Sequence, residues 1–385
     1  MSKKSKYVSL KKEIGWEAPI FIVFFLGFFC SVGYVMGGTN MIKTMMATAF
    51  DLLVNVCFYL MAAAVLAGGI SGVFSEFGVI AFINKGISAV MKPIYDLPGA
   101  SSLGMLNCFM SDNPAILTLA YEDNFRQYFK KYQLPALTNL GTAFGMGLIT
   151  MTAMMGLPVE GALKATFVGF WGAVVGSIIS VRLMIIKTKK YYGTTEAVET
   201  TSAGSVPVGM RKVREGSIGS RLIQSLLDGG KIGVDMGISI IPGVLLICTV
   251  VILLANGVGP AGVYNGSANQ GIGLLPEIGE RLQFIIRPLF GFQSPEAIAV
   301  PITALGSSGA ALGIIADMAT KGRVSANDIA VFTAICMCWS GYLSTHIAMM
   351  DALKTKEMTG HAIFSHTIGG IAAGIAAHLI WLIVG

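Results

Sequence analysis

Residues 107–115 read NCFMSDNPA, and residues 291–312 read GFQSPEAIAVPITALGSSGAAL. The first stretch holds Asn107, Ser111, Asp112 and Asn113, followed by Pro114. The second holds Gln293, Ser294, Glu296, Thr303, Ser307 and Ser308, with Gly306 and Gly309 placed for close backbone approach and unwinding. Both lie in otherwise apolar sequence. An ionisable group at membrane depth costs at least about 2.5–3.5 kcal/mol on insertion scales and marks a functional site by default. Asp112 with Asn107 and Asn113 therefore reads as the lining of a solute or ion site. Glu296 offers a cation ligand, an acceptor for substrate hydroxyls or a carrier of a coupling proton. The same residues also have a plain structural use. Asp-Asn-Pro is a good helix start, and Glu296 after Pro295 suits the first turn of a helix. The two uses are compatible, because a helix N-terminus is itself an anion-friendly site.

Two histidines, His346 and His366, fall in apolar segments and are further candidates for a proton relay or coupling ion, or for bonds to a neighbouring helix. The four histidines show no metal-ligand spacing. The six cysteines all fall in apolar segments and read as small buried hydrophobes, and Cys336 and Cys338 point in different directions on a helix. HExxH, GxSxG, Walker A and dinucleotide-binding motifs are all absent, so an enzyme is not expected.

Residues of this kind need a membrane fold to hold them. The chain is 54% hydrophobic and 12% charged over 385 residues, with mean hydropathy +0.70. A soluble domain averages roughly 25% charged residues. Uncharged windows of spanning length run Ala18–Ile42, Leu52–Ser75, Tyr132–Val159, Met236–Pro276 and Ile329–Met350, and residues 165–186 and 358–385 also qualify. The first window is too long for a cleaved signal peptide. The net charge of +6 comes largely from basic clusters that flank spans, where the positive-inside rule places them, so nucleic acid is not an expected partner.

Residues 191–220 lack apolar periodicity, are rich in Gly, Ser, Thr and charge, and read as a linker. The sequence on its two sides repeats. FINKGISAVMKPIYDLP at 82–98 matches EIGERLQFIIRPLFGFQ at 277–293, with Pro93 opposite Pro288, an offset of 288 − 93 = 195. At that offset Ser111, Asp112, Asn113 and Pro114 fall opposite Gly306, Ser307, Ser308 and Gly309. Helix-breaking sequence thus recurs at matched positions, one span before it and two after it. Charge fixes the orientation. With the lysine-rich N-terminus inside, Arg126, Lys130, Lys131 and the cluster 182–190 stay inside only if 98–121 is re-entrant. The second half starts inside and mirrors this from the opposite face, which leaves the C-terminus external.

The expected fold is an all-α polytopic membrane protein of two inverted-topology repeats. It has about seven full spans, two re-entrant hairpins and one extra N-terminal transmembrane helix. The expected division is 1–44 for the tail and extra helix, 45–190 for the first repeat, 191–220 for the cytoplasmic linker and 221–385 for the second repeat.

The Pro-terminated helices, with GASSLGMLNCFMSDNPAILTLA at 99–120 and GFQSPEAIAVPITALGSSGAAL at 291–312, resemble the nucleoside-recognition, or Gate, membrane proteins. That superfamily includes concentrative nucleoside transporters, the permease core of ferrous iron transporters and the paired spore maturation proteins A and B. FQSPEA at 292–297 resembles the Gln-Ser-Glu-Ala hairpin tip of nucleoside transporters, interrupted by Pro295, and by that resemblance Gln293 and Glu296 would bind substrate. NCFMSDNPAI at 107–116 resembles the Cys-x-x-Pro-Ala turn of iron permeases, with Cys108 and Pro114 six apart rather than three. The resemblance covers residues 45–385 and implies two half-length proteins fused through the linker.

The reading is a secondary transporter in the cell membrane for a small polar solute such as a nucleoside-like compound, an amino acid or an organic anion. It would be coupled to Na⁺ or H⁺ and need no other cofactor, and a homo-oligomer is compatible with it. The alternatives are a divalent-metal permease using Asp112, Glu296, Cys108 and Met105 or Met110, and, as the spore-maturation resemblance implies, a non-transporting membrane scaffold or signalling component.

Overall fold

The computed structural model describes residues 12–111, 115–116, 128–196, 198, 213–258, 262–340 and 342–385. Among them there are helices and no strands. Four stretches are long and apolar enough to cross a membrane: Glu17–Met36, Gly38–Glu76, Ala162–Tyr192 and Lys356–Val384. The chain is an all-α polytopic membrane protein.

Helix α1 (Glu17–Met36) ends at Gly37, whose φ of 79° only glycine adopts freely, so the expected span 18–42 stops short. Helix α2 (Gly38–Asp51) then runs through a π-helical segment (Leu52–Cys57) into α3 (Phe58–Glu76), forming one long rod. Next come the amphipathic α4 (Val79–Tyr95) and α5 (Ser101–Met110). After Ser111 the chain doubles back. A Cβ on Gly104 would lie 2.5 Å from Ile116 Cγ1, whereas a continued helix at 1.5 Å per residue would carry them about 18 Å apart. Ile116 therefore packs beside Gly104 and does not continue the line of α5.

The expected continuous span 132–159 is two helices, α6 (Ala136–Phe144) and α7 (Gly147–Met155), broken where Met146 takes φ 54°. Helix α8 (Ala162–Tyr192) closes the first half. In the second half α9 (Ile218–Gly243) passes through another π-helical segment (Val244–Cys248) into α10 (Thr249–Ala255). Helix α11 (Leu274–Phe290) leads to a 3₁₀ turn (Pro295–Ile298) and α12 (Ala299–Gly306). Helix α13 (Ser308–Thr320) packs back along α12 as a hairpin. The expected span 329–350 is again two helices, α14 (Ala326–Cys338) and α15 (Tyr342–Ala352), before α16 (Thr359–Val384).

The offset of 195 runs through the elements. Both α4 and α11 start after a left-handed glycine, Gly78 (φ 75°) and Gly273 (φ 68°), where 273 − 78 = 195. Both end at a left-handed residue, Asp96 (φ 59°) and Gly291 (φ 70°), which donates to the carbonyl of Lys92 or Arg287. Two amides cap these ends in matching fashion: Gln133 Nε2 donates to Asp96 O at 2.7 Å, and Asn327 Nδ2 to Phe290 O at 2.9 Å.

Two antiparallel helix pairs give the symmetry its axis. In α8 and α16, small residues let the backbones touch: a Cβ on Gly172 would lie 2.7 Å from Ala373 O, and one on Gly176 2.4 Å from Gly369 O. These contacts straddle Val175 and Gly370, and 370 − 175 = 195. In α3 and α9, Gly68 meets Gly229 and Ala64 meets Gly233. Run on, that register sets Asp51 opposite Leu246, again 246 − 51 = 195, and the two π-helical segments pack together there. Antiparallel helices that cross at repeat-equivalent positions cross on a two-fold axis.

The halves are accordingly inverted. Helix α4 sits at the end of the molecule where α8 stops, here called the linker end after the segment expected to follow α8: Asp96 pairs with Lys189 at 2.5 Å, and the Arg182 guanidinium bonds the carbonyls of Ile94, at 2.6 Å, and Pro93. Helix α11 sits at the far end, beside Asn327 and His378.

Candidate functional site

The two matched breaks are approached from opposite ends. At the first, Ser111 leaves the helix with φ −136° and ψ −102° and lines a cavity of about 250 Å³. Ser71, Ser75, Ile149, Arg214 and Asp228 line it too, which carries it toward the linker end. Arg214 is held there by charge. The Glu76 side chain, only 3% exposed, accepts from Arg214 Nη1 at 2.8 Å and Arg221 Nε at 2.7 Å, and Arg214 Nη2 reaches Asp228 at 2.9 Å. Asp228 and then Glu76 hold the Arg214 guanidinium above its ordinary range.

At the second break, Ser307 is extended (φ −162°, ψ 113°), and its Oγ accepts from Ala310 N at 3.2 Å, the N-cap geometry. A Cβ on Gly243 would stand 3.2 Å from that Oγ, so the start of the π-helical segment backs the break. Cys248 Sγ donates to Ala310 O at 3.0 Å, and Gly313 packs on Val56, Val244 and Cys248. The first turns of α13 thus rest where the two π-helical segments meet. Such segments recur at functional sites, because the extra residue frees local backbone groups.

The expected residues separate into groups. Ser307 and Ser308 stand together at the second break, with Ser308 Oγ donating to Cys336 O at 2.9 Å. Thr303 is buried and donates to Ala299 O of its own helix at 2.7 Å. Gln293 is exposed, and Ser294 O accepts from Ala297 N at 3.1 Å. Glu296 accepts twice from Arg323 Nη1, at 2.7 Å each. Both line a far-end cavity of about 650 Å³ with Asn256, Asn269, Gln270 and Lys321. Asn107 is half-buried in α5. Asp112 and Asn113 lie outside the described residues.

A buried polar cluster joins α6, α8, α15 and α16, and only its histidines stood out in the sequence. His366 Nε2 faces the carbonyl of Cys338, so that nitrogen donates. Its Nδ1 then accepts from Ser180 Oγ at 2.8 Å, and Ser180 Oγ accepts from Asn139 Nδ2 at 2.9 Å. His346 Nδ1 donates to Tyr342 O at 2.6 Å. The two imidazole centroids lie 4.6 Å apart, and the Tyr342 ring lies within 6 Å of both, at 5.7 and 5.9 Å. Asn139, Ser180 and Tyr342 were missed because nothing local marks them. The available signal was Gly145, which ends α6. Among the described residues, no three His, Cys, Asp or Glu side chains cluster as a metal site.

The fold is similar to solved structures of the concentrative nucleoside transporter CNTnw. A doubly substituted form in an outward-facing state aligns with TM-score 0.55 at 14% identity, covering 95% of this chain and 84% of that one. The inward-facing substrate-bound state aligns with TM-score 0.54 at 14% identity over the same shares, 95% and 84%. An intermediate state gives TM-score 0.53 at 14% identity, covering 96% and 86%. At this identity the likeness is one of fold. No family model matches the chain, and no curated protein sequence matches it.

Proposed function

We propose that the chain is a secondary transporter that carries a small polar solute by alternating access. The observation behind this is the pair of repeat-related breaks in an inverted fold. Ser111 lines a cavity directed to the linker end, and Ser307 lies in a hairpin whose arms come from the far end. CNTnw is a transporter solved in outward-facing, intermediate and inward-facing states, which supports the same cycle here. The solute would be a nucleoside-like compound, an amino acid or an organic anion, coupled to Na⁺ or H⁺. Asn107, Ser111, Asp112 and Asn113 would face Ser307 and Ser308 across the pseudo-two-fold axis. Glu296, with Gln293, Ser294 and Arg323, would form the far-end approach. The basic residues at the linker end make that end cytoplasmic under the positive-inside rule.

The test is labelling of single cysteines placed at Ser111 and Ser307 by a membrane-impermeant maleimide, with exposed Cys30 replaced by Ser. A solute found by thermal-shift screening should change both rates, slowing one and speeding the other. Labelling from neither face would favour a scaffold over a transporter.

A further inference from the structure

The cluster around His366 is short of hydrogen-bond donors among the described residues. Its chain of bonds is directional and closed: Asn139 donates to Ser180, Ser180 to His366, and His366 to Cys338 O. Asn139 Nδ2 also donates to Ala362 O at 3.1 Å, which fixes the amide and leaves its Oδ1 as an acceptor. That Oδ1 is buried and has no partner among the described residues, and neither has His346 Nε2. Because Nδ1 of His346 carries the hydrogen, Nε2 is a bare lone pair on a fully buried side chain. A buried acceptor without a donor costs about 1–3 kcal/mol. The arrangement therefore awaits a proton or a donor.

Few groups are available to share that proton. Helices α6 and α12, which pack on α15, contribute no titratable side chain. Helix α16 contributes His361, His366 and His378. His361 lines a linker-end pocket with Lys187 and Lys190, and His378 bonds Asn327 at 2.8 Å. The 3₁₀ turn Lys356–Met358 contributes Lys356, paired with Asp351 at 2.8 Å, and Glu357, bonded to Tyr192. Only His366 and Tyr342 face His346 by ring contact, and the bonds of His366 are already spent on Ser180 and Cys338. No carboxylate neutralises an imidazolium at this position among the described residues of those elements.

We infer that His346 Nε2 is the proton-binding atom of the transport cycle, and that the solute bound with the proton is a small organic anion. This rests on the transporter reading. The step is simple: an N–H bond forms at Nε2 with a proton from water on one side and breaks on the other. A buried charge needs a paired charge, and with none supplied by the described residues of the packed helices, the solute supplies it. Helix α12, which ends at the second break, packs on α15, so the proton site adjoins the proposed solute site.

Two experiments test this. Protein with ¹⁵N-labelled histidine in nanodiscs is examined by NMR between about pH 8 and about pH 5, where histidine changes charge. His346, assigned by its loss in His346→Asn, should show Nδ1 protonated throughout, and Nε2 gaining a proton as pH falls only when succinate or citrate is present. An Nε2 that stays unprotonated with every carboxylate, or the opposite tautomer in the free protein, overturns the proton site. The tautomer readout needs no solute, so it stands apart from the transporter reading. The second experiment measures thermal stabilisation by acetate, succinate, citrate and uncharged uridine. Affinity for a carboxylate should rise about tenfold per pH unit of acidification, the slope one linked proton demands, and lose that dependence in His346→Asn. Stabilisation by uridine alone, by none of the three carboxylates, or without pH dependence overturns the anion assignment.

Discussion

Gly68 and Gly229 block one another: a Cβ on Gly68 would lie 2.3 Å from Gly229 O, and a Cβ on Gly229 would lie 2.1 Å from Gly68 O. Both obstacles are backbone, so neither helix can yield by turning a side chain. Gly68→Val or Gly229→Val should cost about 3 kcal/mol or more, at the upper end for overpacking. Gly86 has nothing within 4 Å of its would-be Cβ and lies within α4. Gly86→Ala should therefore stabilise by up to about 1 kcal/mol through helix propensity. Thermal unfolding of purified protein, followed by size-exclusion recovery, checks both, and a well-behaved Gly68→Val protein would remove the helix crossing from the account of the fold.

The matched caps give a second test. Gln133→Leu frees Asp96 O and Asn327→Leu frees Phe290 O, so each should destabilise by about 1–3 kcal/mol. Each change also strips a second bond, Lys130 N losing Gln133 Oε1 in the first and His378 Nδ1 losing Asn327 Oδ1 in the second, so the two should cost alike. The caps sit in opposite halves and share no partner, so the double variant should be additive. Denaturation midpoints of the three variants decide it.

The repeat itself was legible. Proline, glycine and hydrophobic spacing are local signals, and they placed α4 against α11 and Ser111 against Gly306 at one offset. The second pair of breaks was not legible, because α6–α7 and α14–α15 stay apolar through their interruptions. A helix that breaks without gaining polarity leaves the hydropathy of a full span. Nor could the sequence show that Glu296 meets Arg323 or that Asn139 meets Ser180, since those partners are brought together by tertiary packing. The π-helical segments escaped for a related reason: VLLIC is an ordinary apolar run, and the one polar residue of LLVNVC, Asn55, bonds Asp51 one turn back, as it could in any helix.

Ser307 lets capping be separated from solute binding. As the N-cap of α13 its hydroxyl serves Ala310 N, so Ser307→Ala should cost about 1 kcal/mol and Ser307→Gly only a few tenths. If the hydroxyl also meets solute, both variants lose affinity alike, although their stabilities differ. Calorimetric affinities that track stability instead would make Ser307 a cap and nothing more.

The Glu76 carboxylate gives a prediction about access. Glu76→Gln removes the charge that holds Arg221 and the inner side of Arg214, leaving Arg214 to Asp228 alone. Because Arg214 and Ser111 line one cavity, a cysteine at 111 should react faster with maleimide in the Glu76→Gln background. Unchanged reactivity would mean that the ion-pair network is structural and does not restrict the cavity.

Glu296 and Arg323 are the sharpest case for separating a static pair from a working one. Their side chains are 22% and 45% exposed, so the pair contributes about 1 kcal/mol or less to stability. Arg323→Ala should therefore leave thermal stability nearly unchanged. The reversed pair, Glu296→Arg with Arg323→Glu, restores attraction and should recover whatever either single reversal loses in stability. Solute affinity should not recover, because a ligand-binding carboxylate at 296 cannot be replaced by a guanidinium there. Recovery of stability and affinity together would identify the pair as scaffolding and move the far-end approach to Asn256, Asn269 and Gln270, which line the same cavity.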